Sequence, residues 1–184
     1  MNPLDPSPFI LTINGGSSSI KFALFRDADL PVPVTRGMVD RIGLPDCVMV
    51  VNDVLTQQSE RHTLNNSTHQ ACAESLMEWL EQDVGSENLR AVGHRAIHGG
   101  QNYGRPEYVT RDMVAELRRI SPYDPEHMPA EICLIEAFSA RYPNLPQVAC
   151  FHTAFHGDMP RVARLLPIPR RYEKLGLQRY GFHD

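Results

Sequence analysis

The sequence predicts an α/β domain in which a mixed β-sheet is covered by helices. Three observations carry that prediction. The first third of the chain holds short runs in which apolar and polar residues alternate, separated by clusters of Gly, Asn, Asp and Ser. From Ser67 to Asp83 the apolar spacing changes to three and four. Beyond that, short apolar runs and helical patterns take turns, the order expected when strands and helices share one core.

Each element follows from local chemistry. Phe9 to Asn14 reads as a strand, Gly15-Gly16-Ser17-Ser18-Ser19 as a turn, and Ile20 to Phe25 as a second alternating strand, together a β-hairpin. Val48 to Val51, bounded by Asn52-Asp53, reads as a further strand, with Gly37 to Ile42 and Glu60 to Leu64 as its antiparallel neighbours. Cys72, Ala73, Leu76, Met77 and Leu80 then make one apolar helical stripe, with Ser67 as the capping hydroxyl and Gly85 past the end. Leu89 to Gly93 reads as a buried strand leading to a corner at Gly99-Gly100. Thr110 can cap a helix running to Ile120, Pro129 suits the first position of another running to about Tyr142, and Gln147 to Phe151 is the last strand. Pro167 and Pro169 mark a break.

With 184 residues, 42% hydrophobic and 22% charged, the chain can bury one ordinary core and is neither fibrous nor disordered. Its net charge of −4 gives no general attraction to nucleic acid or to an anionic membrane. Phe9 to Leu11, resuming at Ile13, falls far short of the roughly 18 apolar residues that a membrane span needs. No Lys or Arg precedes Lys21, the opposite of a secretory leader, so a cytoplasmic protein is expected. Cys47, Cys72, Cys133 and Cys150 form no C-x-x-C pair and are expected to be reduced, mostly buried thiols.

Four constellations could carry chemistry. In the segment Asn14 to Lys21, strand alternation puts Ser17, Ser19 and Lys21 on one face and Ile20, Phe22 and Leu24 on the other. Free backbone N–H groups, hydroxyls and one ammonium are the parts of a phosphate cradle, although Gly-Lys-[Ser/Thr] is absent and the same residues would also make a plain solvated turn. In Gly93 to Gly100, Arg95 stands at a strand end, where a guanidinium can pair with a carboxylate or phosphate, or with a structural acid. His94 and His98 are four apart, but the flanking glycines oppose the helix that a zinc pair of this spacing requires. His127 directly precedes a helix N-terminus, a position suited either to an anion or to a cap. Cys150 to His156 and Tyr180 to His183 bring further histidines to the ends of candidate strands and turns.

Taken in series, these segments resemble acetate kinases, members of the actin-like ATPase superfamily. The similarity lies in Ile13 to Lys21, Gly93-His-Arg-Ala-Ile-His-Gly-Gly100, His127-Met-Pro129, Phe151-His-Thr-Ala-Phe-His156 through Pro160, and Arg179-Tyr-Gly-Phe-His183, in the same order and spacing. The resemblance implies a ribonuclease-H-like lobe over residues 1–184, a cytoplasmic enzyme, and reversible transfer of the ATP γ-phosphoryl group to acetate or another short carboxylate. It implies ATP/ADP and Mg2+ as cofactors and a homodimer as the full assembly. Carried over residue by residue, Asn14 would help place the metal, and Ser17, Ser19 and Lys21 would line the phosphate path. Arg95 would hold the acceptor carboxylate, Ile97 and Phe182 would border its methyl group, and His127 and His183 would steady the transferring phosphoryl group.

The same resemblance exposes departures. His152 stands where the family has an active-site Asp, Glu126 where an apolar pocket residue is usual, Met128 where Asn is usual, and Asp184 where Gly is usual. Acetate kinases also continue with a second lobe that holds the adenosine pocket, a second phosphate loop, another Arg and an acidic metal ligand. The expectation is therefore a first lobe that is poorly active alone. A propionate or butyrate kinase and a non-catalytic acid- or partner-binding lobe are the alternatives.

Overall fold

The computed structural model describes residues 8–155, 157–175 and 177–180. Eight strands form one mixed sheet: β1 (Phe9–Gly15), β2 (Ser19–Arg26), β3 (Val32–Asp40), β4 (Val48–Asp53), β5 (Ser59–Thr63), β6 (Leu89–Ala96), β7 (Glu107–Tyr108) and β8 (Gln147–Phe151). Their order across the sheet is β5-β4-β3-β2-β1-β6-β8-β7. β5 through β1 form an antiparallel meander, β1, β6 and β8 run parallel, and β7 returns antiparallel at the edge. The helices are α1 (His69–Asp83), α2 (Arg111–Ile120), α3 (Met128–Arg141) and the short α4 (Arg161–Arg164).

Alternation in β1 and β2 sends Leu11, Ile13, Ile20, Phe22 and Leu24 to one face of the sheet. There they meet Cys72, Leu76, Trp79 and Leu80 of α1 and Leu134 and Phe138 of α3. A second apolar cluster joins Met113, Leu117 and Ile120 of α2 and Ile132 and Ile135 of α3 to Ala96, Ala149 and Phe151 at the C-terminal ends of the parallel strands. These three helices all lie on that one face. Thr12, Asn14, Lys21, Ala23, Arg36, Met38 and Arg95 share the other face and line a shallow cavity of about 640 Å³.

The expected mixed sheet with covering helices is present, with shifts at the ends of elements. Thr68, not Ser67, caps α1: its hydroxyl accepts from the Ala71 N–H at 3.2 Å. α3 begins at Met128, so Pro129 takes its second position rather than its first. β6 runs three residues beyond Gly93 because the parallel pairing with β1 and β8 continues through Arg95 and Ala96. The two-residue strand β7 has too little sequence to show a period, and the sequence reading missed it. Of the thiols, Cys47 and Cys72 are buried with their sulfurs 3.7 Å apart, and burial pushes Cys72 up to about 12. Cys133 is only partly buried and Cys150 is exposed, because alternation in β8 turns Cys150 to the open face. Among the described residues no helix is long and apolar enough to cross a membrane.

Candidate functional site

Strand register assembles the site. Asn14 pairs with Lys21 across the β1–β2 hairpin and with Arg95 across the parallel β1–β6 pair, while Arg95 pairs with Cys150 of β8. Two sequence segments some eighty residues apart are thereby laid side by side, with Lys21, Asn14 and Arg95 in one row on the open face. The row lies at the C-terminal ends of β1 and β6, the edge of a parallel sheet where ligand groups gather.

Arg95 is the hub. Its Nη1–H donates to Asn14 Oδ1 at 3.3 Å, and its Nη2–H donates to His152 Nδ1 at 2.7 Å. His152 must then hold its ring proton on Nε2, since Nδ1 is the acceptor. Close to the guanidinium lies Glu131 of α3, 4% exposed, with Oε1 3.9 Å from Arg95 Nη1. Glu131 Oε2 accepts from the Ile97 N–H at 2.9 Å, which ties α3 to the chain leaving β6. Burial pushes the Glu131 carboxyl up to about 7, with the Ile97 N–H, Arg95 and His127 pulling the other way. Arg95 itself remains one-third exposed and faces the cavity.

Around this hub the backbone is tightly constrained. The Thr153 N–H donates to Ile97 O at 3.3 Å, and the Gly99 N–H donates to Thr153 Oγ1 at 3.2 Å. A β-carbon on Gly99 would lie 2.0 Å from the carbonyl oxygen of Tyr103, so only glycine fits that corner. His98 Nδ1 accepts from the Gly100 N–H at 2.7 Å, and its ring packs 4.5 Å from Tyr180 and 5.7 Å from Tyr123. Burial lowers the His98 pKa against the pull of Asp124. His94 serves the core instead: it is 3% exposed and bonded to Gln147 Oε1 at 2.7 Å. The two histidines of the i, i+4 pair thus have separate structural partners.

His127 is the N-cap residue of α3, where the sequence placed it, but its side chain makes no capping bond. Its Nδ1 instead meets Asp124 Oδ1 at 2.9 Å, and its N–H donates to the same oxygen at 3.1 Å. Burial opposes ionisation of Asp124, yet these bonds and the imidazole together hold its carboxyl below the usual range. In the hairpin turn, the Gly16 N–H donates to Ser19 O at 2.8 Å and leaves Ser17 and Ser18 exposed. Lys21 is exposed while Ile20 and Phe22 are buried, the alternation that the sequence implied. Ile97 is buried in the second apolar cluster beside the Arg95 strand end. Phe182 and His183 lie outside the described residues.

Two residues of this neighbourhood escaped the sequence reading. His69, at the first turn of α1, reaches 3.0 Å from Gly16 O and braces the turn. Glu131 carries the one signal that could have revealed it: it is an acid within the buried stripe of Ala130, Ile132, Leu134 and Ile135. As for magnesium, no group of three or more His, Cys, Asp or Glu side chains among the described residues could hold a metal ion. Asn14 Oδ1 is one neutral oxygen that already accepts from Arg95, so this donor set does not fit an ion held through carboxylates and phosphates.

Along most of its length the chain is similar to known proteins. A model of the acetokinase family matches residues 9–184. The acetate kinase of Rhodopseudomonas palustris is 36% identical over 180 residues, covering 96% of this chain and 45% of that protein. Among solved structures, a propionate kinase from Francisella tularensis superposes with a TM-score of 0.85 at 31% identity, covering 95% of this chain and 44% of the other. The acetate kinase of Porphyromonas gingivalis superposes with a TM-score of 0.84 at 28% identity, covering 96% and 45%. The chain thus spans about 45% of the length of these relatives.

Proposed function

Because this chain belongs to the acetokinase family, we propose that it is the first lobe and the acceptor side of an acetate kinase, moving the γ-phosphoryl group between ATP and acetate. The observation that carries the proposal is the row Lys21, Asn14, Arg95 at the C-terminal ends of paired parallel strands, with Arg95 one-third open to the cavity. Arg95 would take the acetate carboxylate, with buried Ile97 beside the methyl group. Lys21 with Ser17 and Ser19 would meet phosphate oxygens, and His127, with His183 by family resemblance, would face the transferring group. Such a set suits the reaction: phosphoryl transfer needs positioning and charge neutralisation, and a carboxylate is already a competent nucleophile at neutral pH. In the full assembly a homodimer belongs to the same proposal.

The test incubates the 184-residue chain with acetate, ATP, magnesium and hydroxylamine and reads acetyl hydroxamate, alongside acetate binding by NMR line broadening. Acetate should bind, Arg95→Ala should abolish binding, and hydroxamate should form slowly at best. Acetate broadening that survives in Arg95→Ala refutes the assignment of the acceptor site. Competition with propionate and butyrate ranks the acceptors.

A second reading, an acid-binding lobe without catalysis, is favoured by His152, which gives Arg95 a neutral acceptor where the family resemblance places a carboxylate. Restoring the acid with His152→Asp, with a relative's second lobe fused after residue 184, separates the two. Hydroxamate formation confined to the fusion that carries His152→Asp would assign the loss of catalysis to this position.

A further inference from the structure

Glu131 has no role in the mechanism above, yet its carboxylate points at the acceptor-binding guanidinium. It is 4% exposed, and among the described residues Oε1 accepts no hydrogen bond. That oxygen sits 3.9 Å from Arg95 Nη1, too far for a hydrogen bond and close enough for strong Coulomb coupling in a dry environment. The other oxygen is fixed by the Ile97 N–H, so the side chain cannot swing away without orphaning that donor. An ionised Glu131 therefore already neutralises the charge that an incoming carboxylate would seek.

We infer that Glu131 is a positioning residue that links acceptor binding to proton uptake: a carboxylate docks on Arg95 as Glu131 Oε1 takes a proton from solvent. This inference rests on the reading of Arg95 as the acceptor site. The proton balance is simple. The free site, once Glu131 has ionised, holds one cation and one anion; the occupied site holds Arg95, the bound carboxylate and a neutral Glu131 acid. Net charge at the site is then zero in both states, and no uncompensated anion is left in the core.

Among the described residues, the charged groups facing Glu131 are Arg95 from β6, and His127 and Asp124 from the segment entering α3. His152, on the turn after β8, faces Arg95 from the other side. Protonating His127 or His152 adds positive charge and would favour an anion without involving Glu131, so the experiment must separate them. The carboxyl lies near 7 in the free protein, held up by burial. If only the neutral acid admits the ligand, acetate affinity falls about fivefold between pH 7 and 8 and about tenfold per unit beyond.

The test uses the 184-residue chain labelled with 13C at the glutamate carboxyls, the Glu131 signal being assigned by its loss in Glu131→Gln. Its titration is followed without acetate and with saturating acetate. The midpoint is expected near 7 and to move up by at least about one unit with acetate bound, while Glu131→Gln binds acetate with little dependence on pH between about 6.5 and 8.5. A Glu131 midpoint unmoved while acetate is bound, or a steep pH dependence that survives in Glu131→Gln, overturns the inference and leaves the acceptor site standing. Failure of acetate to bind at about pH 6, where Glu131 is protonated, overturns the acceptor-site reading, and the inference with it.

Discussion

Replacing Glu131 by Gln should change not only the stability of this protein but its pH dependence. In the folded state the carboxyl holds its proton to about pH 7, against 4.5 for the free side chain. Its stabilising share is thus fully present below pH 4.5 and is lost as pH rises through 7. That difference corresponds to about 3 kcal/mol. Gln mimics the neutral acid at every pH, and its amide carries a constant cost of about 1 kcal/mol for facing Arg95 with no acceptor.

His94 works in the opposite sense. Burial holds it down to about 4 despite the bond to Gln147. It is neutral in the folded state and protonated in the unfolded chain between pH 4 and 6.5, so its share is present above 6.5 and is lost as pH falls through 4. Between about pH 4.5 and 6.5 folding simply moves a proton from one buried group to the other, and these two groups leave wild-type stability flat. In Glu131→Gln the His94 slope stands alone, about 1.4 kcal/mol per pH unit.

Urea denaturation followed by the fluorescence of Trp79, the one tryptophan, reads both effects at about pH 4.5, 5.5, 6.5 and 7.5. The variant should be about 1 kcal/mol less stable than wild type at about pH 4.5 and about 2 kcal/mol more stable at about pH 7.5. A constant difference across that range would refute the burial argument for Glu131.

Other perturbations test the fold that holds the site. Thr68→Ala removes the acceptor for the Ala71 N–H and should cost about 1 kcal/mol in urea, with Ser67→Ala near neutral, which identifies the cap. Gly37→Ala would put a methyl group 2.1 Å from Phe22 Cζ, whose ring packs 5.5 Å from Trp79. It should cost about 1–3 kcal/mol and shift the Trp79 emission. Arg141→Ala breaks the two-bond pair with Glu81 that joins α3 to α1, but both side chains are partly exposed. The expected loss is under about 1 kcal/mol at low salt and shrinks in about 1 M NaCl.

Much of the fold could be read from the residues because local rules dominate it. The alternation of Ile13, Ile20, Phe22 and Leu24 fixes which faces of β1 and β2 are buried, and the stripe from Cys72 to Leu80 specifies α1. Ends of elements were less legible: Thr68 and Ser67 are both competent caps, and the choice depends on where the first turn meets the core. The candidate site was legible only in pieces. Lys21 and Asn14 belong to one hairpin, but their neighbour Arg95 arrives through a parallel pairing that no local pattern encodes. His69 gives no signal in its sequence neighbourhood, and Glu131 shows only as an acid among apolar helix residues, its partners being set when the helix packs.

The sequence by itself determined the α/β class, the hairpin with its polar row, the segments shared with acetate kinases, and the candidate roles of Arg95 and His127. The class and the hairpin rest on periodicity and residue chemistry, which act over a few residues; the shared segments and the roles of Arg95 and His127 are what the resemblance to acetate kinases implies. Only the tertiary structure decided that His94 belongs to the core, that His152 is a neutral acceptor for Arg95, and that Glu131 lies 3.9 Å from the guanidinium with one oxygen unbonded among the described residues. Proton affinity and pairing depend on burial and on distances of a few ångströms between distant segments. Those are set when β1, β6, β8 and α3 come together, and not before.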